Sequence, residues 1–143
     1  MKASSEIIDA IKVFEGCRFV AYRCTSGVLT IGYGHTKGVK VGQRCSIEQA
    51  EEFLLSDVNE VVKQVNSVIK SKLYQNRFDA IVDFVFNIGI GKFSTSTLLK
   101  KLNANPDDKT IPDEFRRWVY SGGKVVKGLV KRREWEAKLY ARK

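Results

Sequence analysis

The chain of 143 residues fits one globular domain, and its composition of 43% hydrophobic and 29% charged residues is typical of a single apolar core. No run of about 18 apolar residues occurs, which excludes an ordinary transmembrane helix. The formal net charge of +9 favours polyanionic partners, among them nucleic acid, anionic lipid and anionic cell-wall polymers.

The first predicted element is a helix near the N-terminus. Apolar side chains repeat there at helical spacing, with a serine before them as a cap and a glycine after them as a stop signal. The apolar positions are Ile7, Ile8, Ile11 and Phe14, the cap is Ser4 or Ser5, and the stop is Gly16. Because no apolar block follows Met1–Glu6, we expect no secretory signal peptide.

A small sheet follows this helix. Two β-prone runs, at 19–22 and 28–31, flank turn residues at 25–27, which predicts a hairpin within a sheet of two or three strands. A long helix then begins at Ser46, which fits a capping box with Gln49.

The rest of the chain is predicted to be helical. The expected helices are a buried central one at 78–88, short ones at 96–102 and 112–120, and a last one at about 129–141. A small sheet segregated from many helices places the fold in the α+β class.

Most of the positive charge lies at the C-terminal end. From Arg116 to Lys143 there are ten lysines and arginines against two glutamates. This field could steer the protein towards anionic walls, although a solvated helix surface gives the same pattern. The basic residues do not alternate with aromatic ones, and no zinc-finger or RNA-binding motif occurs. We therefore expect no nucleic-acid partner.

Few residues are candidates for chemistry on their own. Glu15 ends the first predicted helix, where the helix dipole disfavours a carboxylate and so favours the protonated acid that a glycosidase needs. A solvated glutamate is the simpler interpretation. Cys24 and Thr30 alone are typical of a small buried hydrophobe and a strand former. His35 is the only histidine, which leaves little for a metal site.

Together these residues form a longer pattern. Eight residues separate Glu15 from Cys24, five separate Cys24 from Thr30, and residues 31–36 are Ile-Gly-Tyr-Gly-His-Thr. This pattern resembles the phage lysozymes of the T4-like and lambdoid endolysin type, whose motif is Glu, eight residues, Asp or Cys, five residues, Thr. The resemblance continues through Phe-Val-Phe-Asn-Ile-Gly at 84–89 and Gly-Leu-Val-Lys-Arg-Arg at 128–133.

The resemblance implies a muramidase that hydrolyses bacterial peptidoglycan between N-acetylmuramic acid and N-acetylglucosamine, with no metal or organic cofactor. Glu15 would be the general acid, and Cys24 and Thr30 would hold the attacking water. Because a thiol replaces the second carboxylate usual in glycosidases, inversion by direct water attack is favoured over a covalent glycosyl-enzyme. A lytic transglycosylase acting on the same bond, or an inactive wall-binding domain, is the alternative.

Further residues take roles from the same resemblance. Phe86, Asn87 and Arg132 are expected to contact substrate, and His35 is expected to pair with Asp57 on the long helix. His35 and Asp57 would then be structural rather than catalytic.

The three cysteines leave an alternative open. Cys24 is expected to be a free thiol that faces the substrate-binding cleft between two lobes. Cys17 and Cys45 would be structural or incidental. In the alternative, Cys24 forms a disulfide with one of them or packs into the core.

The family architecture implies one catalytic domain with two lobes. The small lobe would be about residues 15–45, the linking helix about 46–68, and the helical lobe about 69–143 with 1–14. We expect a monomer without stable membrane insertion, made in the host bacterial cytoplasm and released to the wall through a holin-type pore.

Overall fold

The computed structural model describes every residue from Met1 to Lys143 and contains seven helices and two small antiparallel sheets. This architecture confirms the predicted α+β class. None of the helices combines the length and the apolar character needed to cross a bilayer. In chain order the elements are α1 (Ser5–Glu15), β1 (Arg18–Arg23), β2 (Leu29–Gly32), α2 (Ile47–Val68), α3 (Gln75–Ile88), α4 (Ile90–Ser94), α5 (Thr97–Ala104), α6 (Ile111–Arg116), β3 (Tyr120–Ser121), β4 (Lys124–Val125) and α7 (Lys127–Ala141).

The chain divides into two compact units. Unit 1 comprises Met1–Ile7 and Val61–Lys143, and unit 2 comprises Ile8–Glu60. Every residue of the Glu, Cys, Thr motif belongs to unit 2.

The helix ends of the N-terminal half form as their sequence signals predict. The backbone N–H of Ile7 donates to Ser4 Oγ at 3.3 Å, which caps α1. Gly16 ends this helix in the left-handed region, with φ +66°. At the start of α2, Gln49 N donates to Ser46 Oγ at 3.1 Å and Ser46 N donates to Gln49 Oε1 at 2.8 Å. The predicted capping box is therefore present.

The hairpin of unit 2 is held in a fixed register. Tyr22 lies opposite Thr30 in the β1–β2 pair, and the pairing is irregular nearer the start of β1. An isolated bridge joins Ile31 to His35, with two backbone hydrogen bonds of 2.9 Å that close the turn after β2. The unit is filled by buried apolar side chains, namely Ile11, Ile31, Ala50, Leu54 and Val58.

Unit 1 is organised around α3, as its apolar sequence predicts. Its residues Phe78–Val85 are all buried. Phe84 packs edge-on against Phe93, Phe115 and Trp118, with ring centroids 6.2, 5.3 and 5.7 Å away. Such edge-to-face pairs add to the stability that burial provides.

The C-terminal half differs from the prediction in two places. The helix expected at 112–120 ends at Arg116, and Tyr120 instead opens a second hairpin with β4. The reason is the Gly122-Gly123 pair, whose φ angles of +59° and +78° suit a tight hairpin turn and not a helix. The short helix α4 was also not predicted, because five residues carry too little periodicity.

Candidate active site

The turn between β1 and β2 holds the thiol of Cys24. Cys24 N donates to Val28 O at 3.0 Å, and Gly27 N donates to Cys24 O at 2.8 Å, so the backbone of the turn is closed. Within this turn Cys24 Sγ lies 2.9 Å from Ser26 Oγ. Thr30, on β2, is buried and donates through Oγ1 to Val28 O at 3.0 Å.

These contacts change the acidity of the thiol. The hydrogen bond with the Ser26 side chain, followed by backbone hydrogen bonds of Ser26 and Val28, lowers the pKa of Cys24 to about 7, and the Thr30 side chain adds a smaller effect. Hydrogen bonds to a thiolate stabilise the charged form, which explains the direction. By contrast, burial raises the pKa of Cys45. All three cysteines are free and half-buried, so no disulfide removes Cys24 from the site.

The thiol environment predicts selective alkylation. Because the thiolate is the reacting species, iodoacetamide should modify Cys24 half-maximally near pH 7 and Cys45 only in more alkaline solution. Peptide mass spectrometry across a pH series measures both rates. Ser26→Ala removes the hydrogen bond that lowers the Cys24 pKa most. The pH dependence of Cys24 alkylation should then move to higher pH, while that of Cys45 stays in place. Identical profiles for the two thiols would contradict this assignment.

Glu15 is the last residue of α1, and its carboxyl lies against the turn after β2. A Cβ built on Gly34 would lie 2.6 Å from Glu15 Oε1 and 3.0 Å from Glu15 Cδ. Gly34 also has φ +76°, which a side chain disfavours. The glycine therefore provides the space in which the carboxyl sits.

The same turn is anchored to α2 by His35. His35 Nδ1 lies 2.8 Å from Asp57 Oδ2, so the structure brings the predicted pair together. The imidazole ring also stacks on Phe53, with centroids 4.3 Å apart and planes inclined by 8°. These contacts hold the turn that carries Gly34 in one position.

The three expected substrate contacts belong to unit 1. Phe86 is half-buried and Asn87 is exposed, at the end of α3. Arg132 is buried on α7 and donates to both carboxylate oxygens of Asp83, at 3.1 and 2.7 Å. The buried Arg133 donates to Asn87 Oδ1.

Arg132 and Arg133 belong to a buried cluster of charged groups, together with Asp83 and Glu136. Burial would raise the pKa of Asp83, but the hydrogen bond with Glu136 and the charge of Arg132 outweigh it and lower the pKa. Burial, together with Asp83, raises the pKa of Glu136 well above its ordinary range. Asp83 therefore ionises more readily than an ordinary aspartate and Glu136 less readily than an ordinary glutamate, beside the guanidinium groups of Arg132 and Arg133. No group of three or more His, Cys, Asp and Glu side chains is placed to bind a metal ion.

Sequence reasoning missed three of these features. Ser26 lies in the predicted turn, but nothing in its spacing indicates a thiol partner. Gly34 belongs to the Ile-Gly-Tyr-Gly-His-Thr run at 31–36, but its contact with Glu15 needs three-dimensional information. Asp83 did carry a signal, because an acid within an apolar helix must be paired if it is buried.

The family of this chain follows from its similarity to known proteins. Residues 12–136 match the family model described as phage lysozyme. The chain belongs to the phage lysozyme family. Its general activity is therefore the hydrolysis of peptidoglycan by a lysozyme-type enzyme.

Individual relatives agree with this membership. The endolysin of Acyrthosiphon pisum secondary endosymbiont phage 1 is 44% identical over 98% of each chain. The endolysin of Bacillus phage B103 is 46% identical over 98% of this phage lysozyme but only 54% of its own length, so the chain spans about half of that relative.

Solved structures confirm the lysozyme-like fold. The muramidase domain of SpmX from Asticaccaulis excentricus has a TM-score of 0.89 and 35% identity, covering 99% of each chain. The endolysin from Escherichia coli O157:H7 phage FAHEc1 has a TM-score of 0.86 and 40% identity, covering 98% of this phage lysozyme and 93% of that chain.

Proposed function

We propose that this phage lysozyme is a muramidase that hydrolyses the β-1,4 bond between N-acetylmuramic acid and N-acetylglucosamine, with Glu15 as its general acid. The observation that carries the proposal is the position of the Glu15 carboxyl, held against Gly34. The anchored turn fixes the backbone beside this carboxyl, and a fixed donor is what protonation of a leaving glycosidic oxygen requires.

Turbidity of purified peptidoglycan tests this activity directly. The wild-type protein should clear the suspension and release new reducing ends in proportion to the clearing. A folded protein that binds the wall without releasing any soluble fragment would instead be an inactive binding domain, and the proposal would fail.

We assign Cys24 and Thr30 to the attacking water. A glycosidase usually carries a second carboxylate that activates water or stabilises positive charge on the sugar. A pKa of about 7 leaves a large fraction of Cys24 as thiolate near neutral pH, which supplies a negative charge in a side chain of similar size. Thr30 lies beside the thiol and offers a hydroxyl to the same water.

This assignment predicts a change in the pH profile. The thiolate is present above a pH of about 7 and is lost as the pH falls through that value, so wild-type hydrolysis should decline below it. Cys24→Asp should keep substantial activity and move this decline to about pH 4, where a carboxylate is protonated. Cys24→Ala should lose more activity than Cys24→Asp. An alanine variant with full activity and the wild-type profile would remove Cys24 from the mechanism.

Asn87 is proposed to contact substrate, together with the half-buried Phe86, whereas Arg132 is buried and holds Asp83 instead. A guanidinium can only donate hydrogen bonds, so the atom of Asn87 that faces Arg133 is its carbonyl oxygen. The amide N–H groups then point away from Arg133 and are available to an acceptor of the substrate. In this way the buried Arg133 acts as a positioning residue for an exposed amide.

The Asn87→Asp variant separates these two roles. The carboxylate still accepts from Arg133, so the melting temperature should not fall, but the donor to substrate is lost. We expect kcat/KM on soluble peptidoglycan fragments to fall about tenfold, the usual worth of one hydrogen bond. Asn105→Asp serves as the control, because this exposed residue of unit 1 accepts from Asp107 N through Oδ1, which the carboxylate can still do. An unchanged kcat/KM would show that the Asn87 amide does not touch substrate.

We also propose that the protein acts as a monomer and reaches the wall through a holin-type pore. The family resemblance supports this route. Bacteria that express the protein without a holin should stay intact until chloroform opens the inner membrane. Lysis without either treatment would contradict the proposed route.

A further inference from the structure

One surface of unit 1 is used neither by the core nor by the proposed catalysis. It consists of residues 120–131, which are the β3–β4 hairpin and the first turns of α7, and we call it the hairpin surface. Every residue from Tyr120 to Gly128 is exposed. Its large apolar side chains and their exposed fractions are Tyr120 at 65%, Val125 at 57%, Val126 at 38% and Val130 at 43%.

The apolar groups form two pairs. Tyr120 lies directly opposite Val125 in the hairpin, so both side chains point to the same face. Val130 N donates to Val126 O at 3.0 Å, which places these two valines one helical turn apart. The hairpin surface therefore presents two pairs of apolar side chains to solvent.

The same surface carries positive charges that no nearby acidic side chain neutralises. The segment 118–133 contains no aspartate or glutamate. The nearest acids on either side are already paired, Glu114 with Lys101 at 2.7 Å and Glu134 with Arg116 at 2.8 Å. The exposed cations of the hairpin surface are Lys124, Lys127 and Lys131.

We propose that the hairpin surface docks on an anionic phospholipid bilayer. The lysines complement phosphate-bearing headgroups, while the tyrosine and valines enter the boundary between headgroups and acyl chains, where apolar side chains with a polar tip are favoured. A hydrophilic wall polymer would use the lysines and could stack a sugar on the Tyr120 ring, but it would gain nothing from the exposed valines Val125, Val126 and Val130. The combination of charge and apolar groups therefore favours a lipid surface over a polymer.

Sedimentation with vesicles tests the proposal without peptidoglycan, so its outcome is independent of the proposed hydrolysis. Wild-type protein should bind vesicles of equal parts phosphatidylglycerol and phosphatidylcholine and should not bind pure phosphatidylcholine. Changing Lys124, Lys127 and Lys131 together to Gln should weaken partitioning about 100-fold, since each lysine near an anionic bilayer is worth about fivefold. The matched control changes Lys63, Lys100 and Lys109 to Gln and should have a much smaller effect.

A second variant separates lipid from polymer. Tyr120→Ser with Val125→Ser keeps the charge and should weaken vesicle binding about tenfold or more, because it removes the groups that enter the bilayer. Circular dichroism checks that each variant is folded. If the serine variant binds like the wild type, the surface recognises charge alone and the lipid proposal is wrong. Equal losses in the hairpin and control lysine variants, or no vesicle binding at low salt, would also overturn it.

Discussion

Replacing Glu15 with glutamine should remove most of the lytic activity without unfolding the protein. Glutamine matches glutamate in size but has no carboxylic proton to give to the leaving glycosidic oxygen. General acid catalysis of this kind contributes roughly 10²–10⁴-fold to a rate, and we expect a loss in that range. The measurement is the initial rate of clearing of purified peptidoglycan, with the melting temperature recorded on the same sample.

The control for this variant is Glu52→Gln. Glu52 is an exposed residue of α2 in the same unit, so its replacement makes the same change of charge away from the site. It should leave both lysis and melting temperature close to those of the wild type. A folded Glu15→Gln protein that clears the wall at an ordinary rate would exclude Glu15 as the acid.

Adding one methyl group at Gly34 should be nearly as damaging. The new Cβ would stand 2.6 Å from Glu15 Oε1, which no side chain tolerates. Because that oxygen is at the far end of a flexible side chain, the carboxyl would rotate away instead of unfolding the unit. Displacing a catalytic group by about 1 Å costs on the order of 100-fold in rate, so Gly34→Ala should lose at least that much activity.

Gly38→Ala isolates the effect of the contact from that of the backbone. Gly38 has φ +70°, close to the +76° of Gly34, but a Cβ there meets nothing within 4 Å. Both variants should therefore lose about 1–2 kcal/mol of stability from the left-handed backbone, measured by urea unfolding. Only Gly34→Ala should lose activity. Equal activity of the two variants would show that the Glu15 carboxyl does not depend on the space at Gly34.

The sequence predicted the parts of the fold that depend on local signals. The Ser4 cap, the Gly16 stop and the Ser46–Gln49 capping box each act within a few residues, and each forms in the structure. The Gly122-Gly123 turn is an equally local signal, but the predicted helix runs to Tyr120, which belongs to the hairpin that this turn closes. That error shows that a glycine pair outweighs helical spacing when both central residues need positive φ.

The site could be predicted only where a motif spanned it. The resemblance identified Glu15, Cys24 and Thr30 as candidates, yet it could not supply what surrounds them. The hydrogen bond between Ser26 and Cys24 and the space at Gly34 arise from how the turns before and after β2 fold in three dimensions. The pairing of Asp83 with Arg132 likewise joins residues far apart in the chain, and a single sequence does not reveal which distant residues come into contact.

If this phage lysozyme hydrolyses the muramidase bond with water, an oxygen atom of the solvent must appear in its products. Peptidoglycan should be digested to completion in water labelled with heavy oxygen and the soluble fragments analysed by mass spectrometry. We predict reducing N-acetylmuramic acid ends that each carry one labelled oxygen. Fragments that end in unlabelled 1,6-anhydro-N-acetylmuramic acid would identify a lytic transglycosylase and contradict the account.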